Sequence, residues 1–252
     1  MSGGAAKLQR EHYNRILSEY ELHYGDPTSL EYRRRFFLDP LLEGIDLNDA
    51  TVADLAAGSG YTTIELTRRF PRIQMSGFDV SDDSCAAYRI NTGRPAQALD
   101  LSGGTVAPAA FDAAIVVGGL HHCVSDIPGT LRTIATMLKP GRPFFMVEPN
   151  RDCWLEPLRR AWYKQDGYFE ESTEGALSHD ALAAAGREWF TVERVHYLGG
   201  PAYFLIYNSL VLRVPLRLKS MVASPLFAME RAFNLLPGRY PYPFFVARWR
   251  RR

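Results

Sequence analysis

From Thr51 to Glu148 the chain alternates short apolar runs with segments of helical period, a pattern that few folds other than a parallel sheet with crossover helices satisfy. Strands are expected at 51–55, 73–79, 96–99, 111–117 and 143–148, with helices at 61–70, 82–91 and 127–138 between them. Two more helices, 154–164 and 178–186, precede an alternating strand at 189–195, and the last strand candidate is 242–249. Ahead of the sheet, Leu8, Tyr13, Ile16, Leu17, Tyr20 and Tyr24 fall near helical spacing, so an amphipathic helix is expected to end near Gly25-Asp26-Pro27, followed by a second over 29–42.

Between the final two strands lies a long insert. Tyr203, Ile206, Tyr207, Leu210, Val211 and Val214 mark one face of a helix that Pro215 should stop. Ser224-Pro225 then offers an N-cap with proline in the first turn, and Leu226, Met229, Phe233 and Leu236 continue a second helix to Pro237-Gly238.

With 46% apolar and 23% charged residues in 252, the chain has the composition of a folded globular protein, not of a disordered or fibrous one. Cys85, Cys123 and Cys153 show neither disulfide nor zinc-knuckle spacing, and no metal site is expected. The polar start of the chain has no apolar leader and no stretch approaches the ~18 apolar residues of a spanning helix, so a cytoplasmic location is expected. Charge is unevenly spread. Residues 199–252 carry nine Lys/Arg and the single acid Glu230, a net +8, which leaves −7 for residues 1–198 of a chain whose total is +1. An acidic body speaks against nucleic acid as a partner.

The chemistry sits at the ends of the strands. In Asp54-Leu55-Ala56-Ala57-Gly58-Ser59-Gly60 a tight turn joins strand to helix, where small residues admit a ligand to the backbone and the helix N–H groups face it. Asp79, nineteen residues beyond Gly60, ends the second strand where a carboxylate can accept both hydroxyls of a ribose. Nicotinamide dinucleotides and S-adenosylmethionine (SAM) share this pairing. Two features favour SAM: Thr63 stands where a dinucleotide site has its third glycine, and Asp54 would repel a diphosphate but suits a cationic sulfonium and ammonium.

On these motifs, with Gly77-Phe78-Asp79-Val80-Ser81 and Leu138-Lys139-Pro140-Gly141-Arg142-Pro143, residues 51–150 resemble the catalytic domain of class I SAM-dependent methyltransferases. The likeness is to the small-molecule group that includes the ubiquinone/menaquinone and natural-product O-methyltransferases. It implies a Rossmann-like α/β fold with seven strands, mostly parallel, the last antiparallel. It further implies a helical lid over 1–45, a SAM-binding core over 46–150, and a C-terminal part, 151–252, whose insert at about 199–238 caps the acceptor. By the same resemblance Asp54, Ala56, Gly58, Ser59 and Gly60 would hold the methionine part. Asp79 would take the ribose, Val80 the adenine face, Asp100 and Leu101 the adenine edge, with Gly118 beside the donor and Tyr13 of the lid closing over it. Ala56 replaces the family's first glycine, and Arg142 the second glycine of its Lys-Pro-Gly-Gly turn.

Gly118-Gly119-Leu120-His121-His122-Cys123 follows the fourth strand at the edge where such sheets bind ligands. Either histidine suits a base for a poorly nucleophilic acceptor, and Glu148 would orient a histidine or the acceptor. The structural alternative has one histidine capping the next helix and the other packing in the loop. The expected activity is methyl transfer from SAM to a small molecule, at an oxygen of a sugar, glycolipid or secondary metabolite. The alternatives are a SAM-binding module without catalysis and an NAD(P)-dependent oxidoreductase. For the basic insert a cap, a homodimer interface and a membrane-surface contact through 199–252 all stay open.

Overall fold

In the computed structural model the described residues are 23–163, 175–210 and 212–252. The expected 8–24 helix therefore lies outside them except for His23 and Tyr24, which are helical, and Tyr13 lies outside them altogether. Seven strands form one sheet: β1 (Thr51–Leu55), β2 (Gln74–Asp79), β3 (Ala96–Ala98), β4 (Ala113–Val117), β5 (Pro143–Pro149), β6 (Phe190–Leu198) and β7 (Phe244–Arg251). Their order is β3-β2-β1-β4-β5-β7-β6, and β7 alone runs antiparallel, against both β5 and β6. The expected seven-stranded, mostly parallel sheet with an antiparallel last strand is what the chain forms. The chain leaves β1 toward β2 on one side and returns to β4 on the other, so a crevice opens at the carboxyl ends of β1 and β4.

Strand alternation divides the core into two layers. Val52, Ile115, Phe145, Val147, Phe244 and Val246 face one side, and Ala53, Leu55, Val116, Phe144, Met146 and Trp249 the other. Helix α1 (Pro27–Tyr32) runs through a wider-than-α turn at Arg33–Leu38 into Asp39–Leu41, and this segment covers the first side together with α2 (Tyr61–Arg69) and the insert. The second side is covered by α4 (Ile127–Met137) and α6 (His179–Gly186), while α3 (Asp82–Thr92) packs on β2 and β3 and α5 (Glu156–Tyr163) follows β5.

The insert departs from expectation. Among the described residues its first half is helical over 201–207 and not on to Pro215, and the second half is a single helix, α7 (Leu216–Phe233), that begins directly after Pro215 and carries Pro225 inside it. An interior proline removes one backbone hydrogen bond at a cost of ~3 kcal/mol. Its place lies on the exposed side, where water can serve the freed carbonyl of Met221, while Leu226, Phe227, Lys219 and Glu230 bind the other side inward. Fully buried Lys219 donates to the His23 carbonyl at 2.9 Å, to Ser29 Oγ at 2.7 Å and to Asp26. Glu230 accepts from Tyr32 Oη and from the Ala202 N–H. These bonds, with the Tyr32 ring against those of Phe37, Tyr203 and Tyr207, tie the insert to α1.

The arginine-rich end is not a solvated tail. It is β7, paired on both sides, with Trp249 fully buried and Arg248 and Arg250 both paired with Glu193. The strand starts at Phe244, two residues later than expected, because Pro243 has no N–H for the ladder and Tyr242 Oη is spent on the Phe233 and Leu236 carbonyls.

Candidate active site

At the end of β1, Ala57 N–H donates to the Phe78 carbonyl and locks the turn onto β2. Gly58 takes φ +51°, and a Cβ there would meet nothing within 4 Å, so the turn opens onto free space. The Asp79 carboxylate closes the other wall, accepting from Gly58 N–H and Ser81 N–H at 2.9 Å each. Burial raises its pKa against these donors. Gly60 precedes α2 without any side-chain cap, so the first N–H groups of that helix face the same opening.

Asp54 is buried at the end of β1, and its main internal partner is Thr63, whose hydroxyl donates to it at 2.8 Å. Having one proton, that hydroxyl accepts in turn from Tyr88 Oη at 2.7 Å. Burial lifts the Asp54 carboxyl from 3.8 to about 7, against the pull of Thr63 and Arg33. Arg33, which sequence reasoning passed over, reaches from the N-terminal segment to Thr62 Oγ1 at 2.6 Å and Tyr207 Oη at 3.2 Å. Its buried Nε has no partner. A cation inside a helix predicted only as part of the lid gave no signal of its own.

Ala56 occupies the left-handed region at φ +49°, a cost of about 1 kcal/mol for a residue with Cβ. Its methyl sets the identity of Gly119 across the crevice, where an added Cβ would come within 2.5 Å of it.

Beyond β4 the turn through Leu120–His122 wraps around Glu148 of β5. The Gly119, Leu120 and His121 N–H groups donate to its carboxylate at 3.0, 2.8 and 3.3 Å, and His121 Nδ1 stands 2.8 Å from it. Burial raises Glu148 from 4.5 to about 7 and lowers the pKa of His121, so the free ring is neutral. A neutral imidazole donating from Nδ1 keeps the lone pair on Nε2. The His122 ring tilts against it, centroids 3.9 Å apart. Neither histidine caps the next helix; Asp126 does, accepting from Gly129 N–H at 2.9 Å.

The remaining expected contacts are spread along the rim. The Asp100 carboxylate closes its own turn on Ser102, Leu101 packs into the core, Ser59 is buried with its carbonyl accepting from Asn91, and Val80 is half-buried after Asp79. Gly118 takes φ +70° with its N–H on the Val147 carbonyl. Among the described residues no group of three or more metal-ligating side chains exists, and no helix is long and apolar enough to cross a membrane.

Residues 53–142 match the family model of a methyltransferase domain. Similar solved structures include a SAM-dependent methyltransferase of Thermotoga maritima, 16% identical with TM-score 0.64, the match covering 96% of this chain and 99% of that one. Another is a SAM-dependent methyltransferase of Mesorhizobium loti, 18% identical with TM-score 0.57 over 82% and 93% of the two chains. A third is geranyl diphosphate C-methyltransferase of Streptomyces coelicolor A3(2), in complex with Mg2+, geranyl diphosphate and S-adenosylhomocysteine; it is 13% identical with TM-score 0.58 over 86% and 76%. At these identities the likeness is one of fold. The residues at the crevice fit SAM as well: an open glycine turn, the Asp79 carboxylate at the end of β2, and a buried carboxylate within electrostatic reach of a buried guanidinium for a ligand end bearing both ammonium and carboxylate. The methyltransferase-domain match spans residues 53–142, the core of the sheet, and the fold and crevice around it fit SAM as methyl donor.

Proposed function

We propose that this methyltransferase acts on an oxygen of a small-molecule acceptor, with His121 as the base. The observation that carries the reading is the His121–Glu148 pair, 2.8 Å apart at the carboxyl edge of β4 and β5. Bound SAM supplies the electrophilic methyl. Asp54 and Arg33 would hold its amino-acid end and Asp79 its ribose, while Gly118 and the 56–60 turn leave the backbone accessible. Methyl transfer is an in-line displacement governed by alignment, and a base matters when the nucleophile is a hydroxyl. In this reading His121 Nε2 takes the hydroxyl proton as the carbon–oxygen bond forms and the carbon–sulfur bond breaks, and Glu148 is a positioning residue that fixes the ring and its tautomer. The joined α1 and insert form the cap over the acceptor.

The test is methyl transfer from labelled SAM to matched panels of alcohols, amines and carbon nucleophiles. Transfer to alcohols or phenols that drops at least tenfold in His121→Ala, with SAM affinity unchanged, supports the assignment. Transfer to an amine or a carbon centre, or equal rates in the variant, overturns it.

A further inference from the structure

The insert sorts its charges in an unusual way. Its only acid, Glu230, is turned inward onto Tyr32 and the Ala202 N–H, and its buried cation, Lys219, is turned inward onto Asp26. The outward side of α7 is left without a carboxylate. At ~100° per residue Leu218, Met221 and Met229 share this outward arc with Arg217 and Arg231, all five exposed, and Met221 is 78% exposed. Just beyond the helix Leu235 is 85% exposed. Scattered exposed apolar residues are ordinary, but a solvent-facing helix normally turns polar residues outward, and this one sets three large apolar side chains between its outward arginines.

We propose that the outward face of α7 docks on an anionic lipid bilayer. Charge complementarity selects this occupant. A second copy is disfavoured: an antiparallel contact centred on Ser224 lays Arg217 of each copy against Arg231 of the other. A surface of acidic headgroups pairs with both arginines and receives the methionine and leucine side chains in its outer acyl layer. Arg248 and Arg250 of β7 share Glu193 and take no part.

The experiment is sedimentation of the full chain with vesicles of phosphatidylcholine alone and of phosphatidylcholine with phosphatidylglycerol. The chain should sediment with the phosphatidylglycerol vesicles only, and less so as salt rises. Replacing Arg217 and Arg231 by Glu should weaken binding by at least about fivefold for each position. The pair Met221→Ser and Leu235→Ser should weaken it further at low salt, and the melting temperature and SAM affinity should not move in either. No sedimentation with phosphatidylglycerol vesicles, or variants that bind as the native chain does, overturns the proposal. So does a dimer in solution that the serine pair dissolves without any vesicle binding.

Discussion

Two buried carboxylates, Asp54 on β1 and Glu148 on β5, flank the crevice and are raised by burial to about the same pKa, near 7, yet they are built for different tasks. Glu148 is served by three backbone N–H groups and an imidazole, so its charge is answered from within the protein. Asp54 has Thr63 and a more distant guanidinium. A buried charge with few partners is costly, and the cost is recovered when a cation arrives. The difference separates a carboxylate that organises its surroundings from one that is completed by its ligand.

Glu148→Ala should break the comparison most visibly. It strands three buried donors, and a loss of about 3–5 kcal/mol is expected, a fall of roughly 10 °C or more in thermal unfolding. A change under about 2 °C would mean that the 119–121 turn does not depend on the carboxylate. His121→Ala leaves those three donors satisfied, so its expected effect is on rate: about 10²-fold in kcat, with SAM affinity by calorimetry unaltered.

Asp54→Asn should act in the opposite sense on folding and binding. SAM affinity should fall about 10- to 100-fold through loss of a charge-assisted contact, while the free protein at pH 8 gains about 1 kcal/mol. The sign follows from the pKa. A carboxyl held at about 7 when folded, and near 3.8 when unfolded, binds its proton more tightly in the fold. Asp54 therefore subtracts progressively more stability as pH rises from about 4 to about 7 and a constant amount above that. Thermal unfolding of the native chain and of Asp54→Asn across pH 5 to 8 should diverge as pH rises, and parallel curves would refute the account. Conversely, SAM should bind native protein more tightly as pH rises through about 7. The smallest effect is expected for Ala56→Gly, which relieves the left-handed backbone and should stabilise by about 0.5–1 kcal/mol in denaturant unfolding.

The donor side was legible in the sequence because its signals are local. A strand, a glycine turn and a helix follow one another within ten residues, and Asp79 sits at a fixed offset set by one crossover. Strand β1 lies where its apolar run lies, and the parallel order follows from the alternation. The insert was misread because helix stops compete with tertiary contacts: Pro225 reads as a start, yet buried Lys219 and Leu226 on either side hold one continuous helix through it.

By itself the sequence determined the sheet, the glycine turn and the nature of the donor, since periodicity and short-range turn chemistry are properties of neighbouring residues. Only the tertiary structure decided that Glu148 grips the turn bearing His121, 27 residues away. It alone brought Arg33 onto Thr62 within electrostatic reach of Asp54, and made a strand paired on both sides of an arginine-rich tail. Those outcomes depend on which buried charge finds which partner, and burial cost is settled only when distant segments close over one another.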